Sequence, residues 1–340
     1  MQLIRVVLFG MGNMGRNHFR VLQEDSRYQL VAVVDPVLDA LPAPSVPLLR
    51  TVDEALALDW DLAVVAAPTE LHYVLVKKIL ENNRHVLVEK PAAGTMQEAR
   101  ELVQIASDRS LHLAVGNIER CNPVVGALRR LIQTGILGRL VHLTGTRAGG
   151  FPRNVKPGNN VILDLAVHEL DVFRMLLGPL QVLNSVGHST QLQDIFDTAE
   201  ILVAGSQGAT GSVHVNWLTP QRLRSIRVTG TDAVATVDYI AQTCEISGLG
   251  LRGRAADILP ELEWIASNGP LDRAFLPVEK QETLKIQLDQ LARLLSGREH
   301  NLATHEQLVE SVQLVEQAVE MAAQQRLRPW MESGTPVELL

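Results

Sequence analysis

The stretch Leu3-Ile4-Arg5-Val6-Val7-Leu8-Phe9-Gly10-Met11-Gly12-Asn13-Met14-Gly15 decides the fold of this 340-residue chain. An apolar run leads directly into three glycines, and a helix-like segment follows them. Gly10 permits a tight turn, Gly12 lets the backbone approach a pyrophosphate, and Gly15 lets the helix pack closely on the strand. The unpaired N–H groups at the start of that helix favour an anion. The stretch therefore predicts a dinucleotide-binding turn between a first strand and a first helix.

The same alternation continues along the first third of the chain. Further apolar runs without polar alternation are Leu30–Asp35, Leu62–Ala66, Val86–Val88 and Leu111–Val115. Such runs are typical of strands buried on both faces of a parallel sheet. Helix-like segments near 13–24, 70–82 and 95–108 separate them, and the proline-rich segment 36–50 is predicted to be an irregular loop. We therefore predict a doubly wound α/β sheet, a Rossmann domain, over residues 1–118.

The pattern changes after Gly116. We predict a helix near 123–134, a strand near 140–148, a helix near 162–177 and consecutive strands from 181 to 247. Strands that follow one another directly form a largely antiparallel sheet. The segment 248–280 is predicted to be irregular, and amphipathic helices near 282–296 and 304–326 close the chain. Residues 119–340 are thus predicted to form an α+β domain with an open, mostly antiparallel sheet, and its closing helices to pack back on the first domain.

Composition excludes several classes of protein. Apolar residues make up 46 % of the chain and charged residues 20 %, which excludes a disordered protein. Acidic residues (38) outnumber basic ones (31), so we expect no sequence-independent binding to nucleic acid. The longest apolar runs, such as Leu62–Ala67, are too short to span a membrane. Cys121 and Cys244 stand apart with no Cys/His cluster, so we expect no disulfide and no metal site, and a reducing, cytoplasmic location.

Asp35 ends the second predicted strand, 20 residues after Gly15. A carboxylate at this position accepts hydrogen bonds from a ribose diol and repels a 2′-phosphate. The sequence therefore favours NAD over NADP as cofactor. The alternative is that Asp35 is an ordinary loop carboxylate.

Lys90, in Glu89-Lys90-Pro91, follows the strand Val86–Val88. Ligands of doubly wound sheets bind at the carboxyl ends of the strands. A lysine there donates to a substrate hydroxyl oxygen and stabilises developing negative charge. The alternative is an exposed surface lysine, which is the usual situation for this residue.

Asp164, His168 and Asp171 fall on one face of a predicted helix, at i, i+4 and i+7. A narrow polar stripe on an otherwise apolar helix needs partners or a function. Histidine is the usual general base near neutral pH, and a neighbouring carboxylate orients its ring. The alternative is a structural His168 tied to Asp171 or Asp164. No third metal ligand is visible at a suitable spacing.

These motifs together resemble the Gfo/Idh/MocA oxidoreductase family over nearly the whole chain. Besides the glycine turn and Asp35, the resemblance rests on Thr69-x-x-His72 after Ala66-Ala67-Pro68, Glu89-Lys90-Pro91, Gly135-x-x-Gly138-x-Leu140 and Asp164-x-x-x-His168-x-x-Asp171. The resemblance implies that Lys90, Asp164 and His168 form the catalytic group. It also implies a set of residues beside the cofactor: Gly10, Gly12, Asn13, Met14, Gly15, Asp35, Pro68, Thr69, His72, Glu89 and Lys90.

A closer resemblance is to the bacterial branch of the family that acts on nucleotide sugars. Its signals are Glu119-Arg120-Cys121-Asn122-Pro123, Phe151-Pro152-Arg153, Val161–His168 and Asn216-Trp217-Leu218-Thr219-Pro220. Cys121 and the long loop 154–160 depart from the branch pattern. The predicted substrate-binding residues are Arg120, Asn122, Arg147, Arg153, Asn160 and His168. The cations Arg120, Arg147, Arg153 and Lys156 could hold a diphosphate, and about two of the four are expected to touch the substrate. Trp217 either stacks on a base or is buried in the sheet or an interface.

The resemblance implies NAD-dependent oxidation of the C3 hydroxyl of UDP-N-acetylglucosamine, on the way to a 2,3-diamino sugar of lipid A. In that reading His168 removes the hydroxyl proton, Lys90 binds the same oxygen, Asp164 orients the pair, and hydride passes to the nicotinamide C4. The alternatives are another sugar substrate (a UDP-N-acetylglucosamine uronate, inositol or a free sugar) and a non-catalytic dinucleotide-binding regulator. The resemblance further implies a homodimer or homotetramer and an aminotransferase as pathway partner.

Overall fold

The structure, a computed structural model, describes residues 3–41, 46–152, 155, 159–192, 194–266 and 269–325. Two sheets organise this part of the chain. The first is parallel, with the strand order β3-β2-β1-β4-β5-β6. Its strands are β1 (Ile4–Phe9), β2 (Tyr28–Val34), β3 (Leu48–Leu49), β4 (Leu62–Val65), β5 (His85–Val88) and β6 (Leu113–Val115). Its helices are α1 (Asn13–Glu24), α2 (Val52–Leu56), α3 (His72–Glu81) and α4 (Met96–Asp108). The predicted doubly wound Rossmann sheet is confirmed.

The apolar runs form strands because both of their faces are covered. Val6, Val7 and Leu8 are completely buried, and so is every residue of β4. The prediction missed one small strand and one short helix. Residues 48–49 extend the sheet beside Val33 and Val34, and Thr51 then begins α2 with a capping box to Glu54. The proline-rich loop is therefore shorter than predicted.

The second sheet has nine strands in the order β14-β15-β13-β12-β11-β7-β10-β9-β8, and every neighbouring pair is antiparallel except β7 with β10. Its strands are β7 (Leu140–Ala148), β8 (Leu180–His188), β9 (Thr198–Gly205), β10 (Thr210–Asn216), β11 (Leu223–Gly230), β12 (Val234–Asp238), β13 (Thr243–Leu249), β14 (Glu263–Ile265) and β15 (Leu271–Leu276). Its helices are α5 (Pro123–Gln133), α6 (Val167–Leu177), α7 (Leu251–Ala255), α8 (Thr283–Leu295) and α9 (His305–Gln324). The open, mostly antiparallel sheet is confirmed, whereas the prediction of an irregular 248–280 was wrong, since α7, β14 and β15 lie there.

Helix α6 packs very closely on the second sheet because two strands carry glycine beneath it. A Cβ added at Gly211 would lie 2.6 Å from the ring of Phe173, and one added at Gly145 would lie 3.2 Å from it. Phe173 is itself completely buried. A π-helical turn, Ile162–Ala166, precedes α6 and carries Asp164. The glycines therefore set the height at which Asp164 and His168 stand over the sheet.

The two closing helices connect the two halves of the molecule. On α8, Leu288 packs in the same core as Phe19 and Leu22 of α1, and its backbone oxygen accepts from the Tyr28 hydroxyl at 2.6 Å. Helix α9 buries Leu308 and Val312 against the first sheet's helices, and Leu314, Val315 and Ala318 against the second core. The cleft between the sheets is thus held on one side by α9.

Among the described residues, no helix combines the length and the apolar character that crossing a membrane requires. The same part of the chain contains no group of three or more His, Cys, Asp or Glu side chains arranged to hold a metal ion.

Candidate active site

The glycine turn has the shape that a dinucleotide needs. Gly10 has φ +92°, and a Cβ there would lie 2.7 Å from the Ala66 oxygen. A Cβ on Gly15 would lie 2.1 Å from the Gly10 oxygen, whereas the space beside Gly12 is open. No side chain caps α1, so the N–H groups of its first turn, at Asn13 and Met14, remain available to an anion. These residues fit the pyrophosphate of NAD.

Asp35 is held rigidly at the edge of this turn. Its Oδ2 accepts from the Met11 N–H at 2.8 Å, and its Oδ1 accepts from the N–H groups of Val37 at 3.0 Å and Leu38 at 2.9 Å. A carboxylate has about four acceptor positions, so these three bonds leave room for a ribose hydroxyl. Arg50, which the sequence analysis did not single out, donates to the Asp35 backbone oxygen at 3.1 Å. The geometry fits an adenosine ribose at Asp35.

Lys90 lies at the boundary of the two halves, where a cavity of about 580 Å³ opens. Its Nζ donates to the Asp164 backbone oxygen at 2.7 Å and to the Asp164 Oδ1 at 3.2 Å. Pro68 and Thr69 line the same cavity, together with Pro91. An amine from the first sheet and a carboxylate from the second half therefore meet in one crevice.

Asp164 connects Lys90 to an indole that the sequence analysis left undecided. The Trp217 Nε1 donates to the Asp164 Oδ2 at 3.2 Å. Trp217 is only 2 % exposed, and its ring meets that of Phe151 edge to face, with the centroids 5.7 Å apart. Trp217 is therefore neither on the outer face of the sheet nor open for stacking. It orients Asp164, which in turn orients Lys90 and not His168.

His168 lies one helical turn after Asp164, on α6, and is partly exposed. No described residue hydrogen-bonds its ring, so the alternative of a structural histidine tied to Asp171 or Asp164 does not hold. Burial lowers the pKa of the His168 imidazole well below its usual value, and the positive charges of Arg147, Lys90 and Arg224 lower it further. The ring is therefore neutral at pH 7 and able to accept a proton.

Asp171 does not belong to the polar stripe that the sequence predicted. It is 2 % exposed, and both of its oxygens accept from Arg120, at 2.7 Å each. The Asn117 amide donates to the same carboxylate at 2.9 Å. The prediction that Arg120 binds substrate is corrected here, because a guanidinium satisfied in a buried bidentate pair has no charge to offer a ligand.

Arg147 is also a structural residue and not the predicted substrate ligand. It is 1 % exposed, and its Nη2 and Nε donate to Glu119 and Glu169 respectively, each at 2.7 Å. The Tyr239 hydroxyl completes the cluster by donating to Glu169 at 3.1 Å. The sequence could not show that Arg147 is a buried, paired cation, because the two carboxylates that neutralise it come from distant segments.

The two predicted asparagines begin helices. Asn122 is 4 % exposed and caps α5 by accepting from the Val124 N–H at 3.2 Å, which corrects its assignment to substrate. Asn160 accepts from the N–H groups of Ile162 at 2.9 Å and Leu163 at 3.1 Å, and is partly exposed next to the cavity-lining Asn159. Arg153 and Lys156 lie outside the described residues.

Two predicted cofactor neighbours support the site from behind. The Glu89 Oε1 lies 2.8 Å from the Nε2 of the buried His18 on α1, and Glu89 is not among the residues that line the cavity. His72 is 1 % exposed, and its Nδ1 and Nε2 contact the backbone oxygens of Pro91 at 2.7 Å and Ala67 at 2.9 Å. Both residues hold the loops that form the cavity wall.

The sequence matches known families in both halves. A profile described as "Oxidoreductase family, NAD-binding Rossmann fold" matches residues 4–117, and one described as "GFO/IDH/MocA C-terminal domain" matches residues 125–236. The chain belongs to the Gfo/Idh/MocA oxidoreductase family. Residues 4–117 are therefore an NAD-binding Rossmann domain, and the protein is an enzyme. The predictions of the family, of NAD as cofactor and of an oxidoreductase instead of a regulator are confirmed.

Relatives within the family act on different substrates. The chain is 29 % identical to the UDP-N-acetylglucosamine 3-dehydrogenase of Acidithiobacillus ferrooxidans over 250 residues, which are 72 % of this chain and 76 % of that enzyme. A solved structure of that enzyme has a TM-score of 0.75 at 24 % identity, with 95 % of this chain and 98 % of that one covered. The chain is equally, 29 %, identical to an inositol 2-dehydrogenase of Rhizobium meliloti, over 52 % of this chain and 55 % of that one. The structure of GenD2 from gentamicin A biosynthesis, in complex with NAD, has a TM-score of 0.78 at 24 % identity, covering 96 % of each chain.

Proposed function

We propose that this oxidoreductase oxidises the C3 hydroxyl of UDP-N-acetylglucosamine to the 3-keto sugar, with NAD as electron acceptor. The observation that carries the proposal is the Lys90–Asp164 contact in the cavity, with the neutral His168 imidazole one helical turn away. The choice of sugar rests on the likeness to the Acidithiobacillus ferrooxidans enzyme, which extends over most of both chains.

Lys90 and His168 have different roles at the reacting hydroxyl. The His168 imidazole accepts the hydroxyl proton, which its lowered pKa allows at neutral pH. The Lys90 ammonium donates a hydrogen bond to the same oxygen and stabilises the negative charge that develops there. Asp164 holds Lys90 in place through two contacts. NAD would be held by the glycine turn Gly10–Gly15 and by Asp35, and would supply the acceptor for the C3 hydrogen and its electron pair.

Oxidation of inositol is the second candidate, because the inositol 2-dehydrogenase of Rhizobium meliloti has the same identity to this chain. Its match covers only about half of either chain. Both substrates present a ring CH–OH to the same lysine and imidazole, so the site chemistry alone suits either. They differ in charge, since inositol is neutral and a nucleotide sugar carries a diphosphate.

The formation of reduced nicotinamide, followed by its absorbance, tests the proposal. We expect turnover with UDP-N-acetylglucosamine and little with its uronate, with myo-inositol or with free N-acetylglucosamine. Turnover with inositol and none with the nucleotide sugar would replace the first candidate with the second. Product analysis with borodeuteride locates the oxidised carbon.

Replacement of the two reacting side chains tests their roles. Lys90→Ala and His168→Ala should each lower kcat by about 100-fold or more, because each removes a group that acts on the reacting oxygen. Both variants should bind NAD as the parent protein does, as measured by calorimetry. Near-normal turnover in both would refute the assignment.

The proposal extends to assembly and to the fate of the product. We propose that the outer face of the second sheet, which exposes Leu183, Leu202 and Phe275, packs against another copy in a homodimer or homotetramer. Light scattering of the purified protein measures this directly.

The proposal also includes the fate of the product. A 3-keto sugar is a substrate for an aminotransferase, since a ketone condenses with an amine, and the lipid A route remains part of this proposal. The cytoplasmic location also stays a prediction.

A further inference from the structure

Arg224 lies beside the proposed catalytic group, although no motif pointed to it. It stands on β11 directly opposite Arg147 of β7. Ala148, the last residue of β7, pairs with Leu223 at the start of β11 on one side and with Asn216 at the end of β10 on the other. The ends of these three strands therefore meet here. This is the sheet edge from which Trp217 reaches Asp164.

The positive charge of Arg224 is only partly compensated. Like charges directly opposite one another on two strands are unfavourable unless each is neutralised. Arg147 has Glu119 at 2.7 Å and Glu169 at 2.7 Å, whereas the Nη1 of Arg224 lies 3.8 Å from the Glu119 oxygen that Arg147 already holds. The Nε of Arg224 is buried and has no hydrogen-bond partner.

Arg224 is nevertheless accessible from outside. Its side chain is 24 % exposed, while that of Arg147 is 1 % exposed. Burial lowers the pKa of Arg224 to about 10, and the charges of Arg147 and the exposed Arg222 contribute. The side chain is therefore still a cation at neutral pH, in a place where an anion would relieve its repulsion.

The cavity itself is not a place for an acidic substrate group. Among the described residues that line it, Lys90 is the only cation, whereas Glu70, Glu98 and Asp164 all carry carboxylates. The Lys90 ammonium is already engaged by Asp164. An acidic group on the substrate is therefore better met by a cation beside this cavity. Arg224 is such a cation among the described residues, because it stands opposite Arg147, whose partner Glu169 directly follows His168 on α6. Its charge also lowers the pKa of His168.

We propose that Arg224, with Arg222 beside it, binds the anionic group of the substrate and so places the reacting hydroxyl at His168. The guanidinium group would donate paired hydrogen bonds to the oxygens of an anion. This anion is either the diphosphate of a nucleotide or a carboxylate on the sugar, and both present such oxygens. The inference deepens the proposed function and rests on it for the role of His168 and for a substrate that carries an anionic group.

Calorimetric binding of UDP in the presence of NAD tests the inference without turnover. Arg224→Gln should weaken UDP binding at least about tenfold, because one charge-assisted contact is lost. Arg224→Lys should recover part of the affinity. The matched control is Arg227→Gln on the same strand, whose exposed side chain points to the opposite face of the sheet and should leave UDP binding unchanged. Unchanged NAD affinity and unchanged thermal unfolding of the Arg224 variants exclude a folding defect.

Three ligands separate the outcomes. If the diphosphate is the group bound, Arg224→Gln loses affinity for UDP and for UDP-N-acetylglucosamine alike. If a sugar carboxylate is bound, only the affinity for UDP-N-acetylglucosamine uronate falls. Unchanged affinity of Arg224→Gln for all three, or a parent protein that binds none of them, overturns the inference. Loss of UDP binding in a protein that does not oxidise UDP-N-acetylglucosamine would instead refute the proposed function and leave the inference standing.

Discussion

Trp217 positions Asp164, a role that its residue type alone does not predict. Its indole N–H holds Asp164 from one side while Lys90 holds it from the other, at 3.2 Å in both cases. Asp164 is 38 % exposed, so without these contacts its carboxylate would be free to rotate into the cavity. The placement of Lys90 therefore depends on Trp217, which directly follows β10 and reaches Lys90 only through Asp164.

Replacement of Trp217 by Phe keeps the ring and removes only the donor. We expect kcat to fall about two- to tenfold, because a hydrogen bond that only positions Asp164 contributes about 0.5–1.5 kcal/mol, and KM to change little. Steady-state kinetics with UDP-N-acetylglucosamine measures the two constants separately. Trp264→Phe, on β14, is the control and should behave as the parent. A rise in KM with unchanged kcat would mean that Trp217 binds substrate instead.

The neutral state of His168 predicts the pH dependence of the reaction. Because burial and three nearby cations lower its pKa, the imidazole stays unprotonated at pH values at which an ordinary histidine is charged. We expect kcat/KM to stay constant from pH 8 down to below the ordinary histidine pKa of about 6.5, and to fall only in more acid solution. The profile of kcat/KM between pH 5 and 8 measures this. An acidic limb centred at or above the ordinary value would contradict it.

At the scale of elements, α6 and the strands beneath it act as one unit. The ring of Phe173 occupies the space that the missing side chains of Gly145 and Gly211 leave. The helix therefore comes close to the sheet, and the π-helical turn before it carries Asp164 towards Lys90. Packing of one aromatic ring thus determines the distance between the two halves of the site.

Gly211→Ala tests this packing. The added methyl would lie 2.6 Å from the ring carbons of the completely buried Phe173, so α6 or the ring must move. We expect the free energy of unfolding to fall by about 1–3 kcal/mol, the usual cost of overpacking a core. Denaturant unfolding followed by circular dichroism measures it. The double variant with Phe173→Leu should recover part of the loss, and additive losses would contradict the proposed contact.

At the scale of the molecule, the closing helices return to the edge of the first sheet opposite the cofactor turn. Four histidines gather there: His85, His112, His300 and His305. The rings of His85 and His112 lie 5.1 Å apart, and burial lowers the pKa of His85, His112 and His305. Mutual repulsion among the rings contributes to each shift. This joint between the two halves therefore favours the uncharged forms of His85, His112 and His305.

The sign of these shifts predicts acid sensitivity. A histidine whose pKa is lower in the folded chain binds protons more readily when unfolded, so stability falls as the pH drops below the unfolded value of about 6.5. We expect the denaturant midpoint to decrease between pH 7 and pH 5. His112→Asn should reduce the slope of this decrease, and an unchanged slope would place the acid sensitivity elsewhere. His214, with its raised pKa, opposes the trend.

The sequence by itself determined the first domain, the class of the second sheet and the identity of Lys90, Asp164 and His168 as candidates. Glycine spacing, buried apolar runs and the order of short motifs are local properties, and local sterics and burial decide them. The same reasoning took the segment 248–280 for a loop, because β14 and β15 are strands only through pairing at the edge of a sheet that other segments build.

Only the tertiary structure decided which charges are available. Arg120 and Arg147 looked like substrate ligands, yet each is neutralised by carboxylates from other segments, whereas Arg224 had no motif and is left partly unpaired. Asp164 and Asp171, spaced for one helix face, have separate partners for the same reason. Whether a charge is paired depends on residues that are distant in the chain and close in space. A periodic pattern along one segment cannot show which residues these are.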